Sequence, residues 1–295
     1  MMSFLINKIT VSFFLFKDIL TRSICVHAYV YFKGNKLVKT NWGDDINYSF
    51  LRKITRRPIS IYQYSFLANR FKKKNYLCIG STINLLSTPE SIIWGAGVIS
   101  NDLELPHIPK KICAVRGPLS RKYLLERGIE CPAIYGDPAL LIYYFYRPKI
   151  NKESKIGIIP HYSDLESDIV KQLSLNADIK IINIKNYSSW FSFVDEILSC
   201  ECIASSSLHG LIISEAYSRP NVWIEFSNQV YGGHFKFHDF FMSIGKDRCN
   251  PLKSYDITIE KIIEDCKTWR KSEIDLTQLI ESCPFKLNLP YWHKK

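Results

Sequence analysis

Apolar, β-branched runs alternate along the chain with longer stretches of helical periodicity. The runs predict strands at 23–32, 76–79, 91–94, 111–115 and 133–135, and then at 155–159, 179–184, 202–204 and 221–225. Helices are predicted at 48–55, 119–127, 190–199, 211–217, 257–272 and 275–283. Strands that alternate with helices are typical of βαβ units in a parallel sheet, so we expect an α/β protein.

A polar, proline-containing stretch around residues 147–154 divides this pattern into two series. We therefore predict two Rossmann-like, doubly wound domains that face a cleft, one at 1–147 and one at 155–295, the second carrying the closing helices. Residues 1–22 are rich in Phe, Leu and Ile, but Lys8 and Lys17 interrupt them. They predict an amphipathic helix, which either packs on the body or lies on a membrane surface, rather than a membrane span.

Charge and cysteine content narrow the classes of partner. The 39 Lys and Arg against 28 Asp and Glu give a formal charge of +11, which favours phosphates, acidic sugars or a membrane surface. The basic residues are scattered and form no nucleic-acid-binding module, so we expect no nucleic-acid partner.

The nine cysteines form no CxxC pair, which indicates a reduced, cytosolic protein without a zinc site.

The segment 203–213 carries the strongest chemical signal. An apolar run ends in three serines, which His209, Gly210 and a second apolar run follow. In an α/β fold, ligands bind at the carboxyl ends of strands, and a helix N-terminus there favours an anion. Ser206 and Ser207 would lie at that turn, and His209 has the side chain best suited to proton transfer near neutral pH. The alternative is that His209 only caps the turn.

Other predicted strand ends also carry candidate ligands. Gly95 and Gly97 allow a close backbone approach, although glycine turns are also plain architecture. Arg116 stands between a strand and a helix and suits a carboxylate or phosphate, or else a surface ion pair. Asp137 could position a sugar hydroxyl, or hold an Asp-Pro turn.

Four motifs together resemble those of the polysaccharide pyruvyl transferases. They are NWGDDIN at 41–47, VRGPLS at 115–120, YGDPALL at 135–141 and SLHG at 207–210. Their order and spacing match over roughly residues 23–245. The resemblance implies a fold like that of the two-domain GT-B glycosyltransferases. It also implies transfer of pyruvate from phosphoenolpyruvate to a sugar as a cyclic ketal.

The resemblance assigns roles to the candidate residues. Arg116 would bind the donor anion, and His209 would bind phosphate or move the proton. Ser207 stands where many members have an arginine, so one anion contact is either missing or supplied from elsewhere; Lys236 is our candidate for the replacement, and His161 is a further one. The predicted donor site is thus Arg116, Ser206, Ser207, Gly210, Lys236 and His161, and the predicted acceptor side or cleft is Asn41, Asp44, Asn47, Gly95, Gly97 and Asp137.

The expected protein is therefore a cytoplasmic pyruvyl transferase that modifies a glycan precursor for capsule, exopolysaccharide or lipopolysaccharide. The acceptor would be lipid-linked at the inner membrane face, and phosphoenolpyruvate would be a co-substrate, with no metal and no other cofactor. Two alternatives stay open at this point. One is a GT-B glycosyltransferase that uses a nucleotide sugar, because one fold hosts many functions. The other is a non-catalytic subunit that binds glycan or lipid.

Overall fold

Two parallel sheets of five strands each form the frame of the protein. The computed structural model describes residues 9–15, 18, 21–248, 250–272 and 274–293. The strands are β1 Ile24–Val26, β2 Tyr31–Lys33, β3 Lys36–Val38, β4 Ile59–Ile61, β5 Asn75–Leu77, β6 Ser91–Trp94, β7 Lys111–Ala114, β8 Ser154–Ile159, β9 Ile179–Ile181, β10 Cys200–Ser205, β11 Asn221–Glu225 and β12 Leu252–Lys253. The first sheet has the order β4-β1-β5-β6-β7 and the second β12-β11-β10-β8-β9, while β2 and β3 form a separate antiparallel hairpin.

Both sheets have the same strand order. Numbered within its own half, and with the hairpin left aside, each sheet reads 2-1-3-4-5 from edge to edge. In such doubly wound sheets, the ligand crevice lies at the carboxyl ends where the strand order reverses. Those points fall between β1 and β5 in the first sheet and between β8 and β10 in the second. The α/β prediction with two Rossmann-like sheets is confirmed.

Helices connect and cover the strands. Residues 9–15 are helical (α1), and the others are α2 Trp42–Thr55, α3 Phe66–Arg70, α4 Ile83–Leu86, α5 Pro118–Leu125, α6 Asp168–Leu173, α7 Trp190–Leu198, α8 Leu208–Ala216, α9 Phe235–Ser243, α10 Ile259–Lys267 and α11 Thr277–Glu281. Short 3-10 helices lie at Tyr62–Tyr64, Pro138–Tyr144 and Ser254–Asp256. Within the ranges described, every helix is too short or too polar to cross a membrane.

A shared core joins the two halves. Trp42 of α2 stacks on Phe193 of α7 with ring centroids 4.5 Å apart, and both rings are fully buried. The end of the chain returns to the first sheet, where the indole N–H of Trp94 donates to the Leu279 carbonyl at 2.8 Å. Of the linker predicted at 147–154, residues 147–153 have no regular secondary structure and Ser154 begins β8; the division into two domains stays a prediction.

Only part of the predicted helix over 1–22 can be described. Residues 9–15 and 18 are helical, whereas 1–8, 16–17 and 19–20 lie outside the described residues. Phe14 is fully buried, with its ring 5.0 Å from that of Phe32. This part of the helix therefore packs on the body of the protein.

Several predicted elements were wrong in extent. The strand predicted at 23–32 ends at Val26, because the chain turns with Val30 N–H bonded to the Ala28 carbonyl before the hairpin begins. The strand predicted at 133–135 is one isolated bridge between Val115 and Tyr135. The helices predicted at 48–55 and 211–217 begin at 42 and 208, and α9, β4 and the hairpin were missed. The earlier start of α8 places His209 in its first turn.

Candidate active site

A cavity of about 450 Å³ opens where the carboxyl ends of the two sheets face each other. That volume is typical of a small-molecule site. Its walls include the segments after β1, β5, β8 and β10 and the first turns of α2, α8 and α9, so it sits at both reversal points of strand order. Single residues after β6, β9 and β11 complete the lining. The lining residues are Tyr29, Tyr31, Thr40, Asn41, Asp44, Gly80, Ser81, Thr82, Leu85, Ile99, His161, Tyr162, Lys185, Ser207, Leu208, His209, Tyr231 and Lys236.

The structure divides the predicted site residues into two groups. Six of them line the cavity, namely Asn41, Asp44, His161, Ser207, His209 and Lys236. The other seven are absent from its lining and are Asn47, Gly95, Gly97, Arg116, Asp137, Ser206 and Gly210. The contacts described below show that this second group holds the cavity walls in position.

His209 is a neutral imidazole at the first turn of α8. Burial above all, and then the charges of Arg116 and Lys236, lower its pKa to about 3. Its Nε2 atom is buried and has no hydrogen-bond partner in the described part of the chain. A neutral ring with an unpaired nitrogen beside a cavity is poised to bond a ligand, because an unsatisfied buried polar atom is costly.

Gly43 makes room for that imidazole. A Cβ atom on Gly43 would lie 2.0 Å from His209 Nδ1, which is far inside van der Waals contact. The absence of a side chain thus lets the first turn of α2 approach the first turn of α8. The sequence analysis included Gly43 in a motif but did not select it as a site residue.

Lys236 is a buried cation without an anionic partner. Its side chain reaches the cavity from the first turn of α9, the residue is only 8% exposed, and Nζ donates to the Tyr231 carbonyl at 3.1 Å. It forms no ion pair with any described residue. Burial and then Arg116 lower its pKa to about 8, and Asp44 acts in the opposite direction. Buried charges are usually paired, so this one is available to a ligand.

The serine run shapes the N-terminus of α8. Ser207 is the N-cap residue, but its side chain makes no capping hydrogen bond. Ser205 Oγ accepts from the Ser207 N–H at 3.1 Å, and Ser206 Oγ accepts from the His161 N–H at 2.8 Å. The amide groups of the first helical turn, at 208–210, have no partner one turn earlier within the helix. They add partial positive charge to the cavity.

His161 lies on the other side of this turn. Its Nδ1 is 2.7 Å from Ser163 Oγ, and its ring lies 4.1 Å from that of Tyr162. Burial, and then Lys236, lower its pKa to about 4. The cavity therefore contains two neutral imidazoles beside the buried Lys236, with the exposed Lys185 also in its lining.

Asp44 is the one acidic side chain among the residues that line the cavity. Asn41 Nδ2 donates to its Oδ2 at 2.8 Å, and no hydrogen bond from the described residues reaches Oδ1. Burial and then Asp45 raise its pKa to about 7, against the opposing effects of Asn41 and Lys236. This carboxyl group therefore holds its proton far closer to neutral pH than an ordinary aspartic acid does.

Asn47 and Asp137 hold the loop after β5. The Asn47 amide exchanges two hydrogen bonds with the Ile79 backbone, at 3.0 and 3.1 Å. Asp137 Oδ2 accepts from the Gly80 N–H at 3.3 Å, and its Oδ1 accepts from Ala139 N–H at 2.9 Å. Both side chains thus position the wall formed by residues 80–82.

Arg116 does not reach the cavity surface. It is fully buried, where its Nε–H donates to Asp239 Oδ2 at 2.9 Å and its Nη2 donates to the Val98 carbonyl at 2.7 Å. Nη1 donates to Ser81 Oγ, and Ser81 lines the cavity. Arg116 therefore joins α9 to the first sheet and contacts the cavity wall through a hydroxyl group.

Three predicted glycines are needed for close packing. A Cβ on Gly97 would lie 2.2 Å from Arg116 Cζ, and one on Gly95 would lie 2.3 Å from Pro138 Cδ. Gly210 in the same way lets α8 pack against the end of β10. These glycines fix the backbone behind the cavity.

Four tyrosines form an aromatic rim that the sequence analysis missed. Tyr29, Tyr31, Tyr162 and Tyr231 line the cavity, and the last three are 44%, 45% and 55% exposed. Such rings present both an apolar face and a polar hydroxyl group. A usable signal was present only for Tyr162, which follows His161 at a predicted strand end, because Tyr29 and Tyr31 fell inside the strand predicted at 23–32.

A larger cavity elsewhere lacks these features. It measures about 980 Å³ and lies at the amino end of β11, away from the carboxyl edge. Of its four basic lining residues, Lys246 and Arg248 are paired with Glu215, at 2.6 and 3.3 Å, and Arg270 and Lys271 are exposed. Two further observations concern metals and thiols. In the described ranges, no group of three or more His, Cys, Asp or Glu is placed to hold a metal ion. The eight cysteines described are free, and Cys249 lies outside those ranges.

Comparison with known proteins points to one family. The family model for polysaccharide pyruvyl transferase matches residues 4–228, which is more than half of the chain. An uncharacterized protein of Acanthamoeba polyphaga mimivirus is 27% identical over 202 residues, which cover 65% of this chain and 68% of the viral protein. No solved structure matches the chain at a significant level.

Proposed function

Because this chain belongs to the polysaccharide pyruvyl transferase family, we propose that it transfers pyruvate from phosphoenolpyruvate to a sugar, forming a ketal across two hydroxyl groups. The acceptor would be a polysaccharide or a lipid-linked glycan precursor. We further propose that the two halves are arranged as in GT-B enzymes, with the cavity between the sheets as the active site.

The observation that carries this proposal is the buried cation in the cavity. Lys236 has no anionic partner among the described residues, and it lines the cavity together with the N-terminus of α8. A helix N-terminus and an ammonium group together suit a ligand with several negative charges. Phosphoenolpyruvate carries a phosphate and a carboxylate on the same carbon atom, so it meets this requirement.

We assign the donor phosphate to the space between Lys236 and the α8 N-terminus, where Ser207 supplies a free hydroxyl group. Many family members have an arginine in place of Ser207, and Lys236 would supply the missing positive charge from another helix. His161 lines the same wall and would donate or accept one further hydrogen bond. Arg116 would act indirectly, by holding Ser81 and the neighbouring loop.

His209 would act as an uncharged group. With a pKa near 3, it does not carry a proton to the substrate at neutral pH. A bound anion favours the charged form of a neighbouring imidazole, so the donor would raise this pKa. His209 would then be able to accept a proton from an attacking sugar hydroxyl through its unpaired Nε2.

The aromatic rim would bind the acceptor. Rings such as Tyr31 and Tyr231 can stack on the apolar face of a sugar and bond its hydroxyl groups. They stand at the open side of the cavity, so a long or lipid-linked glycan could extend outward. We propose a cytoplasmic enzyme, peripheral at the inner membrane face, with no nucleic-acid partner and no cofactor besides the co-substrate phosphoenolpyruvate.

Thermal unfolding with candidate donors tests the function. A ligand at about 100 times its Kd adds about 2.7 kcal/mol of stability, which gives a clear rise in Tm. We expect this rise with phosphoenolpyruvate, and not with UDP- or GDP-sugars. The rise should be lost in Lys236→Met and kept in Lys171→Met, which changes an exposed lysine on α6. If only a nucleotide sugar raised the Tm, the pyruvyl transferase proposal would be rejected in favour of a glycosyltransferase.

A further inference from the structure

We propose that Asp44 is the acid that protonates the methylene carbon of phosphoenolpyruvate, an inference that rests on the proposed function. Pyruvyl transfer requires a proton at that carbon before a sugar hydroxyl can attack. The sequence analysis had placed Asp44 only at the acceptor side of the cleft. The geometry of the cavity points to the catalytic role.

The position of Asp44 in an anion site is the first argument. It is the one carboxyl group among the lining residues, and it shares the cavity with Lys236 and the α8 N-terminus. An ionised carboxylate there would repel a phosphate and a carboxylate brought into the same small space. Donor binding therefore favours the protonated form of Asp44, which is the form that can act as an acid.

Oδ1 of Asp44 is the oxygen that would carry the proton. Asn41 Nδ2 donates a hydrogen bond to Oδ2 at 2.8 Å, whereas Oδ1 receives none from the residues that the structure describes. A Cβ atom placed on Gly80 would be 3.7 Å from Asp44 Oδ1 and 4.0 Å from His209 Cε1. The free oxygen and the imidazole thus border the same space above Gly80, so acid and base can reach one substrate.

The surrounding groups keep the proton on Asp44 near neutral pH. The groups that act on it or border it are Asp45 on its own helix, Lys236 on α9, His209 on α8, Tyr187 after β9, and Tyr29 and Tyr31 after β1. Burial and Asp45 raise the Asp44 pKa to about 7, whereas Lys236 lowers it. An acid with a pKa near the working pH is the most effective one.

The other groups in the cavity serve less well as the acid. The pKa values of His209 and His161 are about 3 and 4, so both rings lack the proton at neutral pH. Burial raises the pKa of Tyr29 and of Tyr31 above 10, which makes them weak acids. If Lys236 gave up its proton, it would lose the positive charge with which it is proposed to bind the donor.

The step balances in atoms and charge. The Asp44 O–H bond breaks, and the π electrons of the double bond form the new C3–H bond, which leaves C2 electron-poor. A sugar hydroxyl oxygen bonds to C2, and His209 Nε2 takes its proton. The C2–O bond to phosphate then breaks, and the phosphate leaves with the proton from His209. A second hydroxyl oxygen closes the ketal at C2, and its proton returns to the Asp44 carboxylate.

Deuterium labelling tests the assignment. Full-length enzyme is incubated in D₂O with phosphoenolpyruvate labelled with ¹³C at C3 and a panel of methyl hexopyranosides as acceptor probes. We expect the wild type to place deuterium at C3, as read by ¹³C NMR. Asp44→Asn should lower this rate about 10²-fold or more, the usual range for loss of an acid. Asp168→Asn is the matched control, because Asp168 is exposed on α6 and does not line the cavity.

Proton uptake on binding gives an independent readout that a structural role would not change. Calorimetry near pH 7, in two buffers of different ionisation enthalpy, should show uptake of about half a proton with phosphoenolpyruvate in the wild type. Asp44→Asn should bind phosphoenolpyruvate at least as tightly, with that uptake lost. Equal labelling by Asp44→Asn and wild type, or wild-type enzyme that binds without labelling C3, would overturn the assignment. Absence of binding to any variant would instead reject the proposed function.

Discussion

Replacing Lys236 with methionine should make the protein more stable and less able to bind its donor. Burial and Arg116 lower the pKa of Lys236 from 10.5 to about 8. Each tenfold change in acidity corresponds to about 1.4 kcal/mol, so the protonated side chain costs the folded state about 3 kcal/mol below pH 8. Methionine has a similar length and no charge. We therefore expect the free energy of unfolding at pH 7 to rise by about 1–3 kcal/mol.

The stability gained by Lys236→Met should depend on pH in a definite direction. Below pH 8 the lysine is protonated in both the folded and the unfolded chain, so its full cost is present. Between pH 8 and 10.5 the folded chain binds fewer protons, and stability contributed by this group rises with pH. The advantage of Lys236→Met should therefore be largest at pH 7 and should shrink towards pH 10.

Donor affinity should change in the opposite direction. A hydrogen bond to a charged group contributes about 1.5–3 kcal/mol, so Lys236→Met should weaken phosphoenolpyruvate binding roughly 10- to 150-fold. Urea denaturation gives the stability and calorimetry gives the affinity, with the exposed Lys171→Met as the control. A variant that is destabilised at pH 7, or that keeps wild-type affinity, would refute the view of Lys236 as an uncompensated ligand-binding cation.

Three further predictions follow from the buried groups around the cavity. The ¹⁵N resonances of the His209 ring should remain those of a neutral imidazole down to pH 4, and protonation between pH 6 and 7 would contradict the burial argument. Gly43→Ala places a Cβ 2.0 Å from the imidazole, so urea denaturation should show a loss of about 1–3 kcal/mol together with loss of donor-induced stabilisation. Arg116→Met leaves the Asp239 carboxylate buried and unpaired and should cost about 3–5 kcal/mol, whereas Arg116→Met combined with Asp239→Leu should recover part of that loss.

Strands were the most predictable part of the fold. Parallel strands covered on both faces are nearly continuous apolar runs, and β6 and β11 have the predicted bounds for this reason. The apolar segment at 23–32 had the same appearance, but its second half lies in the hairpin, where Phe32 packs against Phe14. A hydrophobic run does not reveal which partner covers it.

Helix starts were harder, because capping depends on atoms outside the helix. Asn41 accepts from the Gly43 N–H at 3.2 Å and begins α2 inside a stretch that was predicted as a turn. The segment that became α9 was expected to be a loop with aromatic and basic residues. Its aromatic residues Phe237, Phe240 and Phe241 are all buried, and they form a core face rather than an exposed surface.

The sequence predicts which site residues lie at strand ends, but it does not predict which of them reach the cavity surface. Parallel strands bring their carboxyl ends to one edge, which is why His161, Ser207 and His209 lie around one cavity. The position of Arg116 depends on Asp239, which lies more than a hundred positions later and takes up its guanidinium group. Long-range pairing of this kind leaves no local signal in the sequence.

The contrast between Arg116 and Lys236 explains how a basic chain can reserve one charge for a ligand. Asp239 and Lys236 lie on the same helix, α9, three residues apart. The aspartate neutralises Arg116 behind the wall, while the lysine projects into the cavity, where its described contacts are the Tyr231 carbonyl and the Phe237 ring 5.6 Å away. If Asp239 paired with Lys236 instead, Arg116 would lose its partner, and the cavity would lose its buried cation. The fixed Arg116–Asp239 pair therefore keeps Lys236 free, and it places the charge that Ser207 cannot supply where a phosphate would sit.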